Sequence, residues 1–274
     1  MSTPQPQAPP QAAPPANGYA PLRQGITLLA YGPADAGKSC LGLSGPAPRL
    51  AADVEGQCTW TPGRKIEWNP AHPPPQPPGT HLTAGYGQPS VTPEWETAIA
   101  YIRDVPALRR VYDVLNRGQH PFASASLDSV TEAQQRIIDG LRGDAQMEMQ
   151  DWGALLRQAT RIIRAWRDLT THPVRPLWTV TFTAGITLDH KAGRYRPLLQ
   201  GSGQDYIPYY ASLYGYLGVQ PDGARILYTG PLPGYETGEK LGGVLPPEMP
   251  IAYPGRAQGW SLADMAARVL SPTA

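Results

Sequence analysis

Ile26-Thr27-Leu28-Leu29-Ala30-Tyr31 runs straight into Gly32-Pro33-Ala34-Asp35-Ala36-Gly37-Lys38-Ser39, and the reading of this chain turns on that junction. The first six residues form an apolar run that reads as a buried strand. The next eight match the phosphate-loop pattern G-x-x-x-x-G-K-[ST]. Glycines let a backbone wrap a polyphosphate with its N–H groups pointing at the oxygens, and a helix starting near Lys38 adds its positive end. Lys38 would reach the β- and γ-phosphates, and the Ser39 hydroxyl would ligate Mg²⁺. The predicted nucleotide contacts are therefore Gly32, Pro33, Ala34, Asp35, Ala36, Gly37, Lys38, Ser39 and Cys40, with ATP and Mg²⁺ as the expected ligands. Asp35 is unusual inside such a loop, because a carboxylate repels phosphate unless it points away.

Outward from this loop, strands alternate with helices. Strands are expected at 49–54, up to Asp128, and at 177–184. Helices are expected at 93–103 (started by Thr92-Pro93), 106–117, 129–142 and 151–170. The last of these carries Trp152, Leu155, Leu156, Ala159, Ile162, Ile163, Trp166 and Leu169 on one face. A hairpin at 211–219 and 224–229 turns at Pro221-Asp222-Gly223, and a final helix starts at Ser261 with Asp264 as its capping partner. This alternation predicts an α/β fold: a mainly parallel sheet flanked by helices, with a C-terminal β-hairpin and short helix. Residues 1–22 are rich in Pro, Ala and Gln and read as a disordered tail, leaving 23–274 as the folded domain. Pro70 to Pro78 reads as an extended surface loop.

The net charge of +1 supplies no global field that would declare a nucleic-acid or membrane partner. Cys40 and Cys58 are too few for a disulfide framework and lack metal-ligand spacing, so they read as reduced thiols. With no membrane-length apolar run and no signal-like N-terminus, the chain is expected to be soluble and cytoplasmic.

A phosphate loop provides binding; hydrolysis also needs a carboxylate near Mg²⁺ and a group that orients the attacking water. Asp128 ends an expected strand and is the candidate metal carboxylate, with a helix N-cap as its alternative role. Glu55, in Asp53-Val54-Glu55-Gly56, is the candidate for taking the water's proton, against the alternative of an exposed loop glutamate.

The order of phosphate loop, Asp53-Val54-Glu55-Gly56 and Leu127-Asp128-Ser129 resembles RecA-type ATPases. More closely, it resembles the compact RecA-like core ATPases of bacteriophages, including short single-strand-annealing recombinases. The resemblance spans roughly 24–270 and extends to Asp151-Trp152-Gly153 and Thr181-Phe182-Thr183-Ala184. It implies Glu55 as the water-activating glutamate and Asp128 as the Walker B magnesium residue. It also implies a polar sensor at the end of the 177–184 strand. Ala184-Gly185 stands there instead, and Thr183 is the nearest polar substitute. Further implications are single-stranded DNA as partner, a ring or filament of identical subunits, an accessory single-strand-binding protein, and a bacterial host's cytoplasm.

Lys191, Arg194 and Arg196 surround an aromatic at Tyr195 and are candidate DNA or trans-subunit contacts, against a solvated hairpin tip. The stripe Arg157, Arg161, Arg164, with Arg167 nearby, reads as a solvated helix face. Tyr206, Tyr209, Tyr210, Tyr214 and Tyr216 read as packing against a sheet edge. The leading function is Mg-dependent ATP hydrolysis in phage recombination or single-strand annealing. Alternatives are an ATPase motor or loader for another DNA transaction, a small-molecule kinase, and a nucleotide-holding protein with little turnover.

Overall fold

The computed structural model describes residues 24–76, 94–253 and 258–271. The expected tail over 1–22, the helix start at Thr92-Pro93 and the proline run past residue 76 lie outside the described residues.

The apolar run becomes strand β1 (Ile26–Tyr31), with all six residues buried. It is followed by α1 (Lys38–Gly42), β2 (Arg49–Asp53), β3 (Lys65–Glu67), β4 (Thr97–Tyr101), α2 (Val105–Asn116), β5 (Ser124–Asp128), α3 (Val130–Arg142) and α4 (Met149–Asp168). The second half contains β6 (Thr179–Ala184), β7 (Ile186–Asp189), β8 (Arg194–Pro197), α5 (Gly203–Tyr206), β9 (Leu213–Val219), β10 (Arg225–Tyr228), β11 (Gly238–Glu239), β12 (Glu248–Pro250) and α6 (Leu262–Leu270). The main sheet runs β12-β10-β9-β1-β6-β5-β2-β4-β3, with β11 also on β9. From β9 to β3 every pairing is parallel; β10, β11 and β12 add antiparallel strands at one side. The fold is α/β, with a mostly parallel mixed sheet flanked by helices.

Burial of β1 on both faces follows from its central position. Leu29 and Tyr31 pack into the core shared with α2, α3 and α4, whereas Ile26, Leu28 and Ala30 pack on the other face with Leu41 of α1 and Leu262 and Met265 of α6. Local signals fix the helix starts. Asp104 caps α2 by accepting from Ala107 N at 2.6 Å. Ser261 and Asp264 form the expected capping box at α6.

Two expectations are corrected. The segment expected as a helix over 93–103 contains strand β4, whose Thr97 to Ala100 are buried. A strand covered on both faces reads as a continuous apolar run, which periodicity cannot separate from a buried helix. In α4, Leu155, Ala159, Ile163 and Trp166 are buried as expected, but Trp152 is 40% exposed. Both cysteines are free, and among the described residues no helix is long and apolar enough to cross a membrane.

Candidate nucleotide site

Parallel pairing puts the ends of β1, β6, β5 and β2 at one edge. Tyr31 is in register with Ala184, and Asp53 with Asp128. Such carboxyl-end crevices are where open α/β sheets bind ligands. The loop Gly32–Ser39, Thr183, Asp128 and Glu55 therefore share this edge, although they come from four separate segments.

Two glycines of the loop are sterically required. A Cβ on Gly32 would lie 2.4 Å from the Leu217 carbonyl oxygen of neighbouring β9. Gly37 has φ 91° and precedes α1, and its missing side chain leaves room for Arg225. Asp35 also has positive φ, at 60°, a region aspartate tolerates better than most residues. Lys38 Nζ donates to the carbonyls of Gly32 (3.1 Å) and Pro33 (2.7 Å). Burial lowers the lysine's pKa, while Glu55, Asp128 and Asp35 act in the opposite direction. The helix expected to add its dipole is only five residues long. The loop's own N–H groups thus carry more of any anion binding than a macrodipole would.

Asp128 is 2% exposed, and both of its oxygens are engaged. Oδ1 accepts from the Thr183 hydroxyl and Oδ2 from the Cys58 thiol at 3.4 Å. Burial, then the Asp128 and Asp53 charges, push the Cys58 thiol well up, so it stays protonated and donates. The helix N-cap role does not fall to Asp128. Ser129 caps α3, accepting from Glu132 N at 3.2 Å. Asp128 is left to the crevice.

Glu55 is exposed and sits on a turn organised by Asp53. The buried Asp53 carboxylate accepts from the backbone N–H groups of Gly56 (2.7 Å), Gln57 (3.2 Å) and Cys58 (3.0 Å). Burial raises its pKa, and those backbone donors oppose the rise. A Glu55 carboxylate oxygen accepts from the Ser129 hydroxyl. Glu55 is thus tied to the residue that follows Asp128.

Ala184 is buried, as an apolar end of β6 requires. The polar link beyond it comes from Thr131, which sequence reasoning missed. Its Oγ1 accepts from Gly185 N (3.0 Å) and donates to the Leu198 carbonyl (2.9 Å), joining α3 to the root of the β7–β8 hairpin. Within that hairpin, Lys191 and Arg194 are exposed. Arg196 is 4% exposed and pairs with Asp189 (2.8 Å), Asp205 (2.8 Å) and Glu236 (3.3 Å), so it braces the hairpin from inside.

Arg225 is a second residue that sequence reasoning missed. It lies 190 positions beyond Asp35, yet donates to the Asp35 carbonyl at 3.4 Å, and its guanidinium sits 3.9 Å over the Tyr253 ring. Beside it opens a cleft of about 1210 Å³ whose lining includes Arg225, Tyr228, Asp222, Glu248, Trp260 and Asp264. Only the strand order brings this cleft to the loop, so no local signal could have revealed it.

Fold and site together define an α/β chain whose sheet edge carries a glycine-rich loop with an internal lysine, a buried carboxylate and a second carboxylate on an adjacent turn. No family model matches the chain, and no curated protein sequence matches it.

Proposed function

We propose that this chain binds Mg-ATP at Gly32–Ser39 and hydrolyses it, as a RecA-like phosphate-loop ATPase. The observation that carries the reading is that parallel register brings the loop holding Lys38, the Asp128 carboxylate and the Glu55 turn to one edge of the sheet, with Glu55 bonded to Ser129 beside Asp128. Lys38 would neutralise the β- and γ-phosphates, and the loop N–H groups would hold their oxygens. Nucleotide Mg²⁺ takes one or two protein oxygens and completes its shell with phosphates and water. The Ser39 hydroxyl and the Asp128 carboxylate, hard oxygen donors both, fit such a shared ion; bound there, it would neutralise charge developing on the phosphates. The Thr183 and Cys58 donors hold Asp128 in one orientation for this role. Glu55 would accept the proton of a water that attacks the γ-phosphorus as the bond to the β-phosphate oxygen breaks, giving ADP and phosphate. Arg225 and the adjacent cleft offer room and a stacking surface for base and ribose.

The order of loop, Asp-x-Glu-Gly and Leu-Asp-Ser supports the narrower reading of a phage recombination or annealing ATPase that assembles with its own copies on single-stranded DNA. A second reading, a protein that holds nucleotide and turns it over poorly, is favoured by the hydrogen bond that occupies Glu55 with Ser129. The test is phosphate release from ATP, with and without Mg²⁺ and single-stranded DNA. Mg-dependent turnover accelerated by DNA is expected. Turnover indifferent to DNA would remove the recombination reading, and absence of turnover would leave the nucleotide-holding one.

A further inference from the structure

Helix α4 turns a cationic face outward. Arg157, Arg161 and Arg164 are all exposed and, among the described residues, none pairs with a carboxylate. Their spacing stacks them along one side over roughly 10 Å of helix. Arg167 continues the line and pairs with Asp168 at 2.6 Å.

Tyr206, the last residue of α5, and Tyr210 face this stripe. Arg164 and Arg167 lie 6.0 and 5.6 Å from the Tyr210 ring centroid. A cavity of about 690 Å³ lies between Arg157, Arg161 and Arg164 on one side and Tyr206 and Tyr210 on the other. It shares Tyr112 and Arg161 with a cavity of about 430 Å³ reached by Arg109 and Asp113. At its other end it shares Tyr210 and Asp168 with one of about 370 Å³ lined by Arg167, Tyr209 and Lys240. The three adjoin through these shared residues as a trough holding six cations against Asp113 and Asp168, on a chain whose net charge is only +1. Lys240 registers the crowding: burial lowers its pKa, and the like charge of Arg167 lowers it further.

Six cations facing only two carboxylates favour a polyanion. Tyr206 and Tyr209, 53% and 73% exposed, add flat ring faces. Cations that track a backbone combined with rings for stacking are the chemistry of unpaired nucleic acid. A duplex would keep its base faces away from these rings, and a concave trough does not fit a flat lipid surface.

We propose that single-stranded DNA binds in this trough, along α4 and across Tyr206, Tyr209 and Tyr210. The proposal takes its partner from the single-strand reading above but uses none of the nucleotide-site residues. The trough ends beside Gly25, Thr27 and Ser212, at the amino ends of β1 and β9, on the opposite edge from the phosphate loop.

The test is fluorescence anisotropy of a labelled oligo-dT with the full chain across a salt series. Variants are Arg157→Gln/Arg161→Gln/Arg164→Gln and, separately, Lys191→Gln/Arg194→Gln; heparin, a duplex of equal length and anionic phosphatidylserine vesicles serve as alternative ligands. The α4 variant is expected to bind oligo-dT at least about 30-fold more weakly, with the salt slope reduced by about 2. Its melting temperature and its DNA-free phosphate release should stay at wild-type values. The hairpin variant should bind within about threefold of wild type, and the duplex at least about tenfold more weakly than oligo-dT. Unchanged binding by the α4 variant overturns the proposal; loss in the hairpin variant alone moves the DNA to β7–β8 and leaves the proposed function standing. Equal binding of duplex, heparin or vesicles also overturns it, as does wild-type protein that binds no oligo-dT, which removes the single-strand partner as well without touching ATP binding.

Discussion

The hydroxyl of Thr183, on β6, donates to Oδ1 of Asp128, on the neighbouring strand β5. β6 lies between the phosphate-loop strand and the Asp128 strand, so one hydroxyl ties the buried carboxylate to the strand that separates it from the loop. With Cys58 on the other oxygen, Asp128 cannot turn without breaking a bond. Thr183→Val removes the donor and leaves shape unchanged. We expect a stability loss of about 1–3 kcal/mol, because a buried acceptor loses a partner. ATP turnover should fall by about tenfold while ATP affinity changes less than threefold. Chemical denaturation and steady-state phosphate release check the two parts.

The two loop glycines should fail differently. Gly32→Ala drives a methyl into the Leu217 carbonyl, a backbone atom that cannot step aside. The chain should lose about 3 kcal/mol or more and yield little folded protein. Gly37→Ala meets the flexible Arg225 side chain and a φ of 91°. It should fold, at a cost of about 1–2 kcal/mol, yet lose most of its ATP affinity. Circular dichroism and calorimetric ATP titration distinguish the pair.

Asp35 is exposed, with its charge beside the loop and φ at 60°. Asn keeps the left-handed conformation and removes the charge. Asp35→Asn should bind ATP about 3–10-fold more tightly at low ionic strength, and the gain should shrink in 0.5 M salt as screening removes the repulsion. Titrations at both salt concentrations check this.

His120 is fully buried against Phe122, and burial, with Arg175 nearby, lowers its pKa from 6.5 to about 3. Below pH 6.5 the unfolded chain takes up a proton that the native chain refuses. Stability is therefore complete above 6.5 and falls by up to about 1.4 kcal/mol per pH unit towards 3. His120→Gln should flatten the fall between pH 6.5 and 5, as measured by denaturant midpoints.

Local sequence carried the loop, β1, β5, α3, the α4 core face and the β9–β10 hairpin, because each has a periodic or capping signal confined to a few residues. β4 was misread because burial on both faces erases alternation. Arg196 resembled a DNA contact because only the fold gathers Asp189, Asp205 and the sequence-distant Glu236 around it. The same reason hid Arg225 beside Asp35 and Thr131 beneath Leu198. Glu55 and Asp128 were legible as strand-end carboxylates; the donors that orient them were not.

The most direct test of the central claim compares wild type, Lys38→Ala and Glu55→Gln in Mg-ATP binding and phosphate release on the same preparations. The account predicts that Lys38→Ala loses at least about 30-fold in ATP affinity. Glu55→Gln should bind ATP within about threefold of wild type and release phosphate at least about 100-fold more slowly. Wild-type affinity in Lys38→Ala, or wild-type turnover in Glu55→Gln, would contradict it.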